Sequence, residues 1–280
     1  MQDRYAGDVG DFGKFGLLRH LCGVTAQDKH GRLEKPGVIW YKTIPGTREN
    51  AQNHGKFIRF LDESDENNRR FKACDGDLYE ALRHVVEPVR SIDALQRVLA
   101  GQCPDFRAGV PLLPGAAYWS KDENVRHGKK KSTCPRADWF QSAFEATAKC
   151  DIVFLDPDNG IECANLRPTQ GKSRKYVFRC EVGKLISRGQ SVVVYHHTGF
   201  KVPAEKQVRQ HLRILADKIK PSDRPFGVLF HRGVCRAFLI LPVQKHYAAL
   251  LERTNALVQK WGKDEWKPGK PRGHFTGPIF

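Results

Sequence analysis

Asp156, Asp158, Asn159 and Glu162 place four oxygen-bearing side chains within seven residues, with Pro157 and Gly160 between them. Hard oxygen ligands at this density suit Mg²⁺, Mn²⁺ or Ca²⁺. The spacing is not that of an EF-hand loop, because the later ligands are missing. Farther along, His196 and His197 follow another apolar run and offer imidazole ligands or a general base. Alternation along a strand sends neighbours to opposite faces, so at most one of the two histidines reaches a site shared with the acids. A metal held by Asp156, Asp158, Glu162 and His196 would activate water for phosphodiester cleavage, the nuclease reading of these residues. A second set, Asp8, Asp11 and Lys14, sits at i, i+3 and i+6 and shares one face of a helical turn. It fits a nuclease constellation, and it fits equally an N-capped helix with Asp8 or Asp11 as the cap.

These residues need elements to hold them. Ile152 to Leu155 is an unbroken apolar run, the pattern of a strand buried on both faces, and Pro157, Asp158, Asn159 and Gly160 stop it. In open α/β sheets ligands bind beyond the carboxyl ends of the strands, where Asp156 stands. Ser191 to Tyr195 is a second such strand and ends at the histidine pair. Val38 to Tyr41 and Ala116 to Trp119 are shorter ones. Gly7, Gly10 and Gly13 predict a loop, followed by a helix over 11–22. Further helices are predicted over 77–86, 91–99, 138–149, 181–187, 206–219 and 246–261, with Asp77 and Ser91 as N-caps. In the 206–219 helix Val208, Leu212, Leu215 and Ile219 share one face, opposite Arg209, Arg213 and Lys218. Gly227 to Phe230 and Ala237 to Leu241 form a hairpin. The alternation predicts an α/β fold with a Rossmann-like, mostly parallel sheet, helices on both faces and a terminal antiparallel hairpin. We read residues 1–280 as one domain, with a helical or loop-rich insert at about 50–136 and an irregular basic tail over 262–280.

The chain has 280 residues, 40% of them apolar, enough for a sizeable core. No 18-residue apolar window suggests a membrane span, and the first residues lack a signal-peptide pattern. Eight cysteines form no C-x-x-C pair, which argues against a zinc ribbon or thioredoxin-like site and for reduced thiols in the cytoplasm. The net charge of +16 attracts polyanions over long range, so nucleic acid, DNA or RNA, is the expected partner. Lys129, Lys130 and Lys131, in an irregular charged stretch that fits a solvated loop tip equally, and Arg174 and Lys175, at a second basic loop, are the expected phosphate contacts. His54-Gly55-Lys56 and His231-Arg232-Gly233 fit a phosphate contact and an ordinary loop equally. Trp261, Trp266 and Phe275 interleave with Lys263, Lys267, Lys270 and Arg272, a pattern suited to single-stranded nucleic acid and equally to a tail pinned by its aromatics.

The run Tyr5-Ala-Gly-Asp-Val-Gly-Asp-Phe-Gly-Lys14, together with Asp156-Pro157, resembles the large-subunit ribosomal RNA adenine-N6 methyltransferase J family. Those proteins open with a Tyr and an Ala-Gly-Asn-x-x-Asp-x-x-Lys stretch and later present Asp-Pro-Pro-Tyr. Ala6, Gly7, Asp8, Asp11 and Lys14 fall in register. The resemblance covers these two blocks and the strand order, as for a distant bacterial cousin. It implies a class I methyltransferase fold. It also implies S-adenosylmethionine near Tyr5, Asp8, Asp11, Lys14 and Tyr41, and Asp156 accepting from the amino group of a base. Pro157, Asp158, Asn159, His196 and His197 would complete the catalytic edge. Such chemistry asks mainly that the exocyclic nitrogen be aligned for attack. The departures are specific. Asp158-Asn159 replace Pro-Tyr and remove the base-stacking aromatic, for which Trp40, Tyr41, Tyr195 and Phe200 are the candidate substitutes. Phe15 replaces a histidine. Lys42 to Thr47 replace the glycine-rich loop expected after the first strand. Three readings therefore stand: base methylation, a nuclease using Mg²⁺ or Mn²⁺ in a mobile-element or defence system, and a non-catalytic nucleic-acid binder.

Overall fold

The apolar runs become the inner strands of one sheet. In a computed structural model, residues 1–25, 29–31, 35–43, 57–65, 68–87, 90–106, 109–120, 135–262 and 273–280 are described. The strands are β1 (Pro36–Trp40), β2 (Ala117–Trp119), β3 (Ile152–Asp156), β4 (Gly160–Ile161), β5 (Tyr176–Val177), β6 (Ser191–His197), β7 (Phe226–Phe230), β8 (Arg236–Leu241) and β9 (Phe275–Ile279). Seven of them form the sheet β2-β1-β3-β6-β8-β7-β9, and β4 and β5 pair separately. The first four are mutually parallel, β8 is antiparallel to β6 and β7, and β9 is antiparallel to β7. This is a Rossmann-like, mixed α/β arrangement. β2 flanks β1 on one side and β3 on the other, so the winding reverses at β1/β3. That reversal opens a crevice at the carboxyl ends of the strands.

Eight helices are found among the described residues: α1 (Val9–Leu21), α2 (Arg69–Cys74), α3 (Gly76–Val86), α4 (Ile92–Leu99), α5 (Pro135–Ala146), α6 (Arg179–Ser187), α7 (Ala204–Ile219) and α8 (Gln244–Gly262). Strand alternation divides the core in two. Val38, Trp40, Phe154, Val193 and Tyr195 face α1 and α8, in one apolar cluster that also takes in Leu78, Leu82 and Leu95 of α3 and α4. Ile39, Leu155, Val192 and Val194 face the other way, onto Phe140 of α5, Leu185 of α6 and Leu212 of α7. No helix among the described residues is long and apolar enough to cross a membrane.

Several details differ from expectation. Gly10 and Gly13 lie inside α1 rather than in a loop; only Gly7, at φ +76°, turns the chain before the helix. Their role is close approach. A Cβ on Gly13 would lie 2.8 Å from the Phe230 ring, and one on Gly16 would lie 2.1 Å from the Trp261 ring. All thirteen residues of α1 are buried. Asp75, not Asp77, caps α3, its carboxylate accepting from the Leu78 amide, whereas Ser91 caps α4 as expected. β2 belongs to the sheet although it lies within the 50–136 segment. Part of the tail is regular: β9 forms the sheet's far edge, where Pro278 costs no interior ladder bond. β6 runs on through both histidines.

Candidate functional site

Asp8 caps α1, its Oδ1 accepting from the amides of Gly10 (2.7 Å) and Asp11 (3.0 Å). That cap sets the helix so that Lys14, one turn beyond Asp11, points at the end of β3. Its ammonium lies 3.0 Å from Asp11 Oδ1 and 3.0 Å from both oxygens of Asp156. A proton is directed at Oδ2 of Asp156. Oδ1 has ion-pair contact but, among the described residues, no directed donor. Asp11 also accepts from the Gly7 amide at 2.9 Å. The Lys14 ammonium further sits 5.0 Å from the centre of the Tyr195 ring.

One cation thus serves two buried acids, with Asp8 close by, and the charges respond. Burial pushes the Asp11 carboxyl up to about 6; Lys14 opposes the shift, and Asp8 and Asp156 add to it. Burial likewise raises Asp156, against the pull of Lys14. For Lys14, burial opposes the charge, but Asp11 and Asp156 outweigh it and hold the ammonium above the usual lysine range. Asp156 is fully buried.

Beside this network a cavity of about 470 Å³ opens at the carboxyl ends of β3 and β6, lined by Tyr5, Asp8, Lys14, Pro157, Asp158, Asn159, Lys175, Tyr195, His197, Phe200 and Arg236, among others. A volume of that order suits a small-molecule or cofactor site. Asp158 forms part of its wall. Its Oδ1 lies 2.6 Å from the Met1 amino nitrogen, and its Oδ2 accepts from the Thr43 hydroxyl at 3.0 Å and from Gln2 at 3.3 Å. Burial would raise this carboxyl, but the amino group, Thr43 and Lys175 (3.9 Å) more than reverse that and hold it low. Arg236, at the start of β8, donates to the carbonyls of Arg232 and Val234, both at 2.8 Å, and lies 3.7 Å from Asp8.

The structure therefore brings together Tyr5, Asp8, Asp11, Lys14, Asp156, Pro157, Asp158, Asn159, His197 and Lys175. It separates others. Tyr41, expected beside a cofactor, turns its side chain to the opposite face. There its hydroxyl donates to Glu181 at 3.1 Å and its ring lies under Arg136. His196 also turns away. Its Nδ1 accepts from the Ile161 amide at 3.3 Å and its ring packs 4.1 Å from His211; burial, helped by His211 and His197, pushes it down to about 3. Gly160 makes this possible, since a Cβ there would lie 2.2 Å from His196 Nδ1. Glu162 accepts from the amide and the side chain of Arg179, at 2.6 and 2.7 Å. The expected metal ligands Asp156, Asp158, Glu162 and His196 are thus each engaged separately. Among the described residues, no group of three His, Cys, Asp or Glu side chains could hold an ion. Arg174 is half-buried in the 171–175 turn and is not part of the cavity wall. Lys129, Lys130, Lys131, the 54–56 segment, Gly46 and Trp266 lie outside the described residues.

Sequence reasoning missed Arg236 and Thr43. The signal for Arg236 was a charge opening an otherwise apolar strand, Ala237 to Leu241. Thr43 carried none. No family model matches the chain, and no curated protein or solved structure matches it.

Proposed function

We propose that the chain is an S-adenosylmethionine-dependent methyltransferase acting on an amino group of a nucleic-acid base. The observation that carries the reading is the buried Asp156 carboxylate at the end of β3, held by Lys14, which lines the cavity. Asp156 Oδ1 has the Lys14 ion pair but accepts no directed hydrogen bond among the described residues, so it keeps room for a further donor. An exocyclic amino group supplies that donor. The sheet is compatible with the reading, since a late hairpin that returns an antiparallel strand is the class I methyltransferase layout.

The cavity also suits the cofactor's chemistry. S-adenosylmethionine brings an ammonium, a carboxylate and an adenine ring, and when bound it supplies an electrophilic methyl group. Asp8 and Asp158 are acids for the ammonium, Lys175 and Arg236 are cations for the carboxylate, and Tyr5 and Tyr195 are aromatic surfaces. Lys14 holds Asp156 in place and opposes the rise that burial gives its carboxyl. Asp156 is fully buried and is not itself part of the cavity wall, which Lys14 and Pro157 supply next to it, so an amino group must displace that wall to reach it.

The test is calorimetric titration of the full chain with S-adenosylmethionine, followed by transfer of labelled methyl to RNA and to DNA. Saturable heat, and label transfer that Asp156→Ala abolishes while cofactor binding persists, is the expected result. No heat at about 1 mM ligand, where binding worth only about −4 kcal/mol would register, would sink the reading.

A further inference from the structure

Phe200 is 92% exposed, the most exposed of the large apolar side chains among the described residues. It nevertheless lines the mouth of the cavity. Leaving an aromatic in water forgoes the gain of burying it, and a slack loop could fold it away. This loop is not slack. It leaves the end of β6, and Thr198 anchors it by donating to the Cys235 carbonyl at 2.8 Å. Gln207, in the first turns of α7, then clasps it three times. It accepts from the Gly199 amide at 2.9 Å and donates to the carbonyls of Gly199 (2.7 Å) and Val202 (2.5 Å). The backbone on both sides of Phe200 is therefore fixed while its ring is held in solvent. Lys201, the next residue, is exposed as well, and Lys175 lines the same cavity.

From this geometry we infer that Phe200 is the platform on which an unpaired base stacks as it enters the cavity. The assignment rests on the base-modifying reading of that cavity. The chemistry favours a single strand. Stacking on an aromatic accepts any base, and a flanking cation meets the backbone phosphate. The net charge of +16 supplies the long-range attraction. A duplex buries its base faces and gives Phe200 nothing to stack on unless a base is flipped. Of the four aromatics that could replace the missing motif tyrosine, Trp40 and Tyr41 are buried in the two halves of the core. Tyr195 lies under the Lys14 ammonium. Phe200 alone of the four is both at the mouth and open.

The experiment is fluorescence anisotropy of the full chain with labelled oligonucleotides of about 12 nucleotides, single-stranded RNA, single-stranded DNA and the duplex of each. A parallel set carries 2-aminopurine, whose emission is quenched by stacking. Phe200→Ala should weaken single-strand binding about tenfold to a hundredfold and abolish the quenching. It should leave duplex binding unchanged, and Phe200→Trp should restore both single-strand signals. The RNA and DNA arms identify the source of the base. Equal single-strand affinity in wild type and Phe200→Ala, or wild-type binding without quenching, overturns the inference. These measurements use no S-adenosylmethionine. Stacking at Phe200 in a protein that binds no cofactor would therefore remove the methyl-transfer reading alone, and cofactor binding without stacking would remove this one alone.

Discussion

The two faces of the sheet each bury an ion pair, and the pairs are built differently. On the face of α5 and α6, Arg136 meets Glu181 through two contacts, at 2.6 and 2.9 Å, and Glu181 also accepts from Tyr41 and from the Phe178 amide. The guanidinium lies 4.9 Å from the Tyr41 and Trp139 ring centres and 5.4 Å from that of Phe178. Charges match one to one in a forked geometry enclosed by aromatics. On the α1 face one ammonium serves two acids, one oxygen of Asp156 takes no directed hydrogen bond among the described residues, and a cavity adjoins. Full satisfaction marks a group that holds the fold. Surplus acid at the edge of a cavity marks a group with capacity for something further.

The largest effect should come from the closed pair. Glu181→Gln leaves the Arg136 charge buried without its counter-ion, which typically costs about 3–5 kcal/mol; urea unfolding should show that loss at pH 5 and pH 8 alike. A loss under 1 kcal/mol, allowing about that much for a surface-grade pair, would erase the contrast. Lys14→Met comes next, at about 3 kcal/mol at pH 8. Here the loss should shrink at pH 5. Without the ammonium, Asp11 and Asp156 keep the burial that raises them, so both protonate more readily as pH falls and the penalty goes with their charge. A pH-independent loss would show that the acids are not held in strain.

Acid sensitivity compares the faces through one histidine on each. His196 and His274 are both pushed down to about 3, by burial first and then by His211 and His197 for the former and by Arg232 and Arg70 for the latter. The unfolded chain takes up these protons below about 6.5 and the folded chain does not. Stability is therefore intact above that pH, and each histidine costs about 1.4 kcal/mol per unit as pH falls below it. Melting curves at pH 7.5 and 5.0 should show the drop, and His196→Gln or His274→Gln should each flatten it. The smallest effect belongs to Lys175→Ala. Its 3.9 Å contact to Asp158 is partly solvated, so its removal should change stability by less than about 1 kcal/mol while weakening any anion held in the cavity. A loss as large as that of Lys14→Met would make Lys175 part of the fold.

Much of the sheet was legible because continuous apolar runs such as Ile152 to Leu155 and Ser191 to Tyr195 have few alternatives to a buried strand. The Asp8 cap and the Asp11–Lys14 spacing were readable for the same local reason. What failed was set by distant partners. Whether Gly10 and Gly13 make a loop or a packed helix depends on Arg236 and Phe230, more than two hundred residues away. β9 was hidden because Gly277 and Pro278 read as irregular, and only its edge position makes them tolerable. The direction of Tyr41 follows from register. Trp40 pairs with Asp156, so the next residue must face away from the site. The Arg136–Glu181 pair left no trace in local pattern at all.

The full burial of α1 bears on movement. A helix enclosed on every side, with two of its glycines pressed against aromatic rings, has no local way to open, so its amide protons should exchange with solvent only when the whole molecule unfolds. One wall of the cavity is then as stiff as the core itself. Breathing on the timescale of ligand entry must come from the opposite wall, the segment that follows β3. Hydrogen exchange should find it opening at a small fraction of the free energy that α1 requires.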